Sequence, residues 1–281
     1  MRVPFVKMHG LGNDFVVLDG RETALPAIHA ASAAALANRH TGIGCDQLVL
    51  LEASRAADFR MRIFNADGSE VEACGNATRA VGLLHGRPAR IETLAGVIAA
   101  RPDPAGITVD MGEPRFDWQA IPLAYAMDTL DMPVGWEDLE NPVAVNVGNP
   151  HAIFFVPDCG AVELARLGPL IEHDPLFPER VNVNVATIES RTAIRLRVWE
   201  RGAGLTLACG TGACATAIGA MRRGLVDRRV AVSLPGGKLT IAWDDTNRIH
   251  MTGPATEAYR GTFDPGLYGL TEAGSEAGSA A

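Results

Sequence analysis

Two short stretches of the chain, "ACGNATRA" (residues 73–80) and "ACGTGACA" (208–215), each set a cysteine before a glycine at the head of a run of small residues. A lone cysteine is most often a small buried hydrophobe. Two features argue for more. Each cysteine follows a strand-like run and a loop and directly precedes a stretch whose composition favours helix. Unpaired N–H groups and the helix dipole at such a start stabilise a thiolate. The glycine behind it lets a ligand come close to the backbone. Two thiols aimed at one carbon from opposite sides suit inversion at a C–H centre, one removing the proton and the other delivering a new one. First-turn amides at Gly75-Asn76 and Gly210-Thr211 are placed to bind an adjacent carboxylate as its charge grows. This chemistry needs no cofactor. Lys7 and Lys238 are the only lysines, so a Schiff-base route has few candidates.

The elements that must position these thiols are written twice. At an offset of 135, "FRMRIFN" (59–65) falls on "IRLRVWE" (194–200), and the two cysteine motifs then coincide without a gap. Gly12-Asn13 matches Gly148-Asn149 upstream, and Leu94, Gly96, Met111 and Pro114 match Leu234, Gly236, Met251 and Pro254 downstream. A period this long marks two copies of a domain rather than a solenoid. The reading is a first domain over 1–114, completed by about 258–271, a second over 115–257, and a small, polar, disordered tail at 272–281. In each copy "NDFVVLD" or "AIFFV" and "RMRIF" or "RLRVW" read as strands. Residues 76–85 and 211–223 read as helices, and 91–111 and 230–251 return to strand. The Ala-rich run 27–38 predicts a further helix capped by glycine. The class is α/β, more broadly α+β: two homologous, pseudosymmetric domains whose equivalent loops would face one another.

Composition narrows the partners. With 281 residues, 47% hydrophobic, the chain can bury a large core. A net charge of −8 and the lack of a Lys/Arg run argue against nucleic acid and for a small-molecule substrate. No apolar stretch has the ~20 residues of a membrane helix, and "MRVPFVKMHG" lacks a signal-peptide core. The expectation is a cytoplasmic protein with no membrane partner. Five scattered cysteines (45, 74, 159, 209, 214) fit a reducing compartment, and their spacing disfavours a metal site. Cys45, Cys159 and Cys214 read as core residues, His9 as structural, and Asn13 and Asn149 also read as ordinary turn residues.

Six ordered motifs, "HGLGNDFVVLD" (9–19), "TGIGCDQL" (41–48), "NADGSEVEACGNATR" (65–79), "NVGNPHAIFF" (146–155), "FPERVNVN" (177–184) and "ERGAGLTLACGTGACA" (200–215), resemble the diaminopimelate epimerases over nearly the whole chain. Members are cofactor-independent and interconvert LL- and meso-diaminopimelate on the route to lysine and cell wall. The resemblance implies that Cys74 and Cys209 are the acid/base pair. It assigns substrate binding to Asn13, Gln47, Asn65, Gly75, Asn76, Asn149, Asn182, Glu200, Arg201, Gly210 and Thr211. His151 and Glu200 would tune the thiols. It also implies two domains, each a β-barrel-like sheet around a central helix, with the site between them, and a homodimer, since members often pair. The chemistry agrees, because a substrate with two amino-acid ends needs neutral donors and acceptors plus a fixed charge of each sign. Arg201 can fork to a distal carboxylate and Glu200 can meet an ammonium. Many members carry glycine at the place of Ala77 and glutamate at that of Leu205. Two other readings stay open: an epimerase of another amino acid such as proline or hydroxyproline, and a binding protein whose thiols form a redox switch.

Overall fold

The computed structural model describes residues 2–72 and 74–270; the expected tail at 272–281 lies outside them. The chain divides into two compact units. The first comprises the described residues up to Ile107 together with those from Pro254 on, and the second runs from Thr108 to Gly253. These edges fall short of 114 and 257 because of hydrogen bonding. Thr108 and Thr252 share a 2.7 Å side-chain hydrogen bond, and Met111 N donates to Ile249 O. Both ties hold the segment after Ile107 to the strand Ile249–Gly253. The chain then returns as the strand Thr256–Phe263, antiparallel to Val3–Gly10 with Val3 opposite Phe263.

Each unit follows one order of elements. In the first, the strands Val3–Gly10 and Asn13–Asp19 form a hairpin. Its turn residues Leu11 and Gly12 both have positive φ (58° and 94°), the geometry that matches strand twist in a two-residue loop. A crossover carrying α1 (Ala30–Ala37) leads to Gln47–Glu52, parallel to Asn13–Asp19. Phe59–Asn65 then runs antiparallel to Gln47–Glu52. It is followed by α2 (Gly75–His85) and by Ala89–Thr93 and Gly96–Asp103. The second unit repeats the plan. Val143–Asn146 and Pro150–Phe155 form the hairpin, and α3 (Leu164–Glu172) lies in the crossover to the parallel strand Asn182–Ser190. Ala193–Glu200 pairs antiparallel to it, and α4 (Gly210–Arg222) precedes Arg229–Leu234, Gly237–Trp243 and Ile249–Gly253.

Two layers of core follow. α1 and α3 cover one face of their sheets, with Ala33 and Leu36 packed on Val16, Leu18, Leu48 and Phe64, and Leu164, Leu167 and Ile171 packed among Phe154, Val183 and Val185. Burying a side chain such as Leu36 stabilises by about 1.5–3 kcal/mol. α2 and α4 lie on the opposite face. α4 meets the strands Val143–Asn146, Pro150–Phe155, Asn182–Ser190, Ala193–Glu200, Arg229–Leu234, Gly237–Trp243 and Ile249–Gly253, so the sheet of this unit wraps it. A helix enclosed in that way must be thin. This is the physical reason for its alanines and glycines, with Gly212 through Ala220 all buried. α2 is likewise buried from Asn76 through Gly82.

Two local expectations change. α1 is not closed by glycine: it ends at Asn38 in extended conformation (φ −61°, ψ 124°). Its last carbonyls are met from further on, Leu36 O by Ile43 N and Gly44 N and Ala37 O by Cys45 N. α3 is an addition to the expected helices, and inside it Gly168 makes room for Trp199. A Cβ at Gly168 would lie 2.5 Å from Cγ of Trp199. No helix of the described residues is long and apolar enough to cross a membrane.

Helix propensity alone would make Gly168→Ala stabilising by up to about 1 kcal/mol, whereas overpacking costs typically 1–3 kcal/mol. The contact with Trp199 should win, because the indole is fixed by its own hydrogen bond to Glu172. A net loss in urea unfolding is therefore expected, and a raised midpoint would contradict it.

Candidate active site

In the first unit Cys74 is the N-cap of α2, held in extended backbone (φ −148°, ψ 114°) and half-buried. Its carbonyl accepts from both the N–H and the hydroxyl of Thr78 at 2.9 Å. Gly75 and Asn76 open the helix behind it. The Asn76 amide donates to Asn13 Oδ1 (3.1 Å), and Asn13 donates to Asp46 Oδ2 (3.1 Å). Asn13 therefore starts its strand already tied to the helix that carries Cys74. Gln47 stands opposite Asn65 across the strand pair and donates to its Oδ1 (3.1 Å). The structure thus brings Asn13, Asn76 and Cys74 into one linked group and Gln47 and Asn65 into another. Among the described residues Gln47 Oε1 is buried with no hydrogen-bond partner; such an acceptor asks for a ligand or a water.

Behind Asn13 lies an ionic cluster. Asp14 accepts from Lys7 and from Arg39 (2.6 Å), and Arg39 also reaches Asp46 (2.7 Å). Burial works against ionisation of Asp14, but the hydrogen bonds from Arg39 and Lys7 hold its carboxyl well below the usual range. Asp46, which also accepts from Asp14 N (3.0 Å), holds Asn13 in place and was not singled out by the motifs.

In the second unit Cys209 is the N-cap of α4 (φ −120°, ψ 109°) and 4% exposed. Gly212 N donates to its sulfur at 3.3 Å, and the Thr211 hydroxyl lies 3.5 Å away. Burial pushes the thiol well above its ordinary value, and the carboxylate of Glu200, hydrogen-bonded to it, pushes further in the same direction. The helix start alone argued for a thiolate. In the second unit desolvation and Glu200 outweigh the two helix-side hydrogen bonds, so the resting group is a thiol. Burial likewise raises the Glu200 carboxyl, against hydrogen bonds from Thr206 and Cys209.

His151 is fully buried, and burial lowers it from 6.5 to about 4, so the ring is neutral. Its Nε2 lies 2.9 Å from the Asn149 amide and its Nδ1 3.3 Å from Asn184 Oδ1. The Asn184 amide is oriented by donating to Gly212 O (3.0 Å) and Thr216 Oγ1 (2.9 Å). His151 therefore reaches the first turn of α4 through Asn184, which no motif singled out. The signal was the spacing of "NVN": Asn182 and Asn184 stand two apart on one face of a strand. Asn182 itself is 3% exposed. It accepts from Arg201 N (2.9 Å) and donates to Pro150 O (2.8 Å), a strut between the hairpin and the Glu200-Arg201 turn. Arg201 donates to Glu179 O (2.9 Å). Gly210 and Thr211 form the first turn beside Cys209. Ala77 is fully buried in α2, and Leu205, opposite Trp199 in its strand pair, is 46% exposed.

A histidine held neutral by burial carries a sign for stability. The unfolded ring binds a proton near 6.5 and the folded one only near 4, so the stabilisation is complete above about 6.5 and is lost as pH falls towards 4. The slope from this group approaches ~1.4 kcal/mol per pH unit. Urea unfolding between pH 7 and 4 should show it in the parent and lack it in His151→Gln; parallel curves would contradict a buried neutral ring.

The family model described as diaminopimelate epimerase matches residues 5–117 and 143–257. The chain is 68% identical to the diaminopimelate epimerase of Erythrobacter litoralis (strain HTCC2594), over 95% of its own length and 100% of the relative's. It is 64% identical to that of Rhizorhabdus wittichii, over 98% and 100%. Among solved structures, a PhzF-family phenazine biosynthesis protein from Bacillus anthracis matches with TM-score 0.67 at 16% identity, covering 94% of this chain and 99% of that one. A hydroxyproline epimerase from Agrobacterium vitis matches with TM-score 0.65 at 16% identity, covering 95% and 93%. Those two share the fold. The two matched stretches of the family model take in both copies of the repeat and both cysteine motifs, and with these identities the chain belongs to the diaminopimelate epimerase family.

Proposed function

We propose that this protein interconverts LL- and meso-diaminopimelate, with Cys74 and Cys209 removing and returning the α-proton. The observation that carries the proposal is the repetition of one device: each unit sets a cysteine as N-cap of its central helix, in a chain of this family. Inversion through a carbanion requires a base on one face of the carbon and an acid on the other. Cys209, a thiol at neutral pH for the reasons above, enters as the acid in one direction. Having delivered its proton to the carbanion it is left as the thiolate, which is the base of the other direction, while Cys74 holds the proton it removed. The N–H groups of each first turn are donors for a carboxylate whose charge grows as the α-proton leaves. No cofactor is invoked in these steps.

Selectivity for a substrate with two amino-acid ends rests on the second unit. The Glu200 carboxylate and Arg201 guanidinium sit next to each other in the turn before Gly204–Thr206, a pair that a proline-type substrate would leave without charged partners. The neutral amides Asn13, Gln47, Asn65 and Asn76 supply donors and acceptors of no net charge. A buried, unpartnered Gln47 Oε1 suits an ammonium N–H.

Incubation with LL-diaminopimelate in deuterated water tests the scheme. At early times deuterium should appear in the product isomer much faster than in recovered substrate, since each thiol exchanges its own proton and labels only the inverted face. Equal early labelling of both isomers would point to one base. Cys74→Ala and Cys209→Ala should each lower the rate by about 10²–10⁴-fold in both directions. Near-parental turnover by either folded variant would overturn the pairing.

A further inference from the structure

Glu172 closes α3 and is 2% exposed, yet no part of the chemistry above uses it. Its carboxylate oxygens are both occupied. Oε2 accepts from the Trp199 indole N–H at 2.7 Å, and Oε1 from the backbone N–H of Gly202 at 2.9 Å. The Arg180 guanidinium lies 3.8 Å from Oε1. Trp199 is the residue before Glu200, and Gly202 the residue after Arg201. One buried carboxylate therefore grips the Trp199 side chain on one side of the charged pair and the Gly202 backbone on the other.

The rest of the turn shows how much depends on that grip. Arg201 N is held by Asn182 Oδ1, and Ala203 N by Glu200 O (3.0 Å). Gly202 and Gly204 both take positive φ (76° and 84°), so the tight turn is allowed. It must still be held in place. The Trp199 ring, seated on Gly168 and 3.5 Å from the Cβ position of Gly204, ties it to α3 on a second side. The other copy does without this device. There the last residue of α1 is Ala37, the strand residue matching Trp199 is Phe64, which has no donor, and the residue matching Glu200 is Asn65. Its loop is stabilised locally by Asp67, which accepts from Ser69 N and Oγ. A remote buried carboxylate is present in the copy that carries the charged pair.

From this we infer that Glu172 is a positioning residue: through the Gly202 N–H it fixes where Arg201 stands, and so sets affinity for the end of the substrate away from the reacting carbon. The inference rests on the proposed substrate, but its test has a readout that does not.

In Glu172→Gln the amide oxygen keeps one donor while the NH2 group confronts the other. KM for diaminopimelate should rise about tenfold with kcat within about threefold, the signature of lost binding rather than lost chemistry. Trp199→Phe removes the indole donor but leaves Glu172 on Gly202 N, so its KM should stay near the parental value. The double variant frees the amide oxygen for Gly202 N, and its KM should fall back towards the parent. A purely structural role would lower stability in these variants without that order in KM. Hydrogen exchange at the Gly202 amide, followed by NMR without substrate, reports the anchor itself. It should be slow in the parent and in Trp199→Phe and fast in Glu172→Gln. Slow exchange there in a parent that does not turn over diaminopimelate would count against the substrate and leave the anchor standing. A parental KM in folded Glu172→Gln, or equal Gly202 exchange in parent and variant, would overturn the inference. Should Glu172→Gln not fold, fast exchange of Gly202 in the parent would overturn it alone.

Discussion

A helix buried inside its own sheet governs the rest of each unit. α4 has strands of its unit around it, and a helix so enclosed satisfies its backbone internally everywhere except at its ends. The N-terminal end is where donors are left over, and both copies place a cysteine there. Enclosure also sets the composition. Ala213, Ala215, Ala217 and Ala220 are fully buried, and larger side chains would force the strands apart. The small-residue run behind each cysteine is therefore a consequence of position, and the N–H groups that open each helix are what that position offers a ligand.

The two copies then diverge in charge on a common scaffold. Around Cys74 the near residues are neutral amides, and the ions stand behind them: Lys7, Asp14, Arg39 and Asp46 clamp the start of the strand that carries Asn13. Around Cys209 the charge moves forward. Glu200 touches the thiol, and the structural duty passes to buried groups, His151 with Asn184 and Glu172 with Trp199. A charge brought forward beside a buried thiol needs a firm backbone, because its energy depends steeply on distance at low dielectric.

The parts of this that could be read from sequence were those fixed locally or by repetition. The α2 and α4 ranges differ from the expected helices by a residue, because alanine content and the glycine-bearing loops mark them directly. What escaped was tertiary. α3 is interrupted on paper by Gly168-Pro169, and only the Trp199 ring explains the glycine. Asp46, Asn184 and Glu172 lie outside or at the margin of the cysteine motifs. They matter through partners far along the chain, and no local pattern reports a bond between residues such as 172 and 202. The thiolate expected from the helix start failed for Cys209 for a related reason: the dipole is a local signal, burial is not.

The raised thiol is nevertheless what the proposed reaction needs. A C–H beside a carboxylate is a very weak acid, and a base matched to it must hold a proton tightly. A thiolate stabilised by the helix start alone would be easy to form but a poor acceptor. Burial and the Glu200 carboxylate raise the proton affinity of Cys209, while Gly212 N and Thr211 keep the anion within reach by hydrogen bonding to the sulfur. The site thus balances two opposed requirements on one atom.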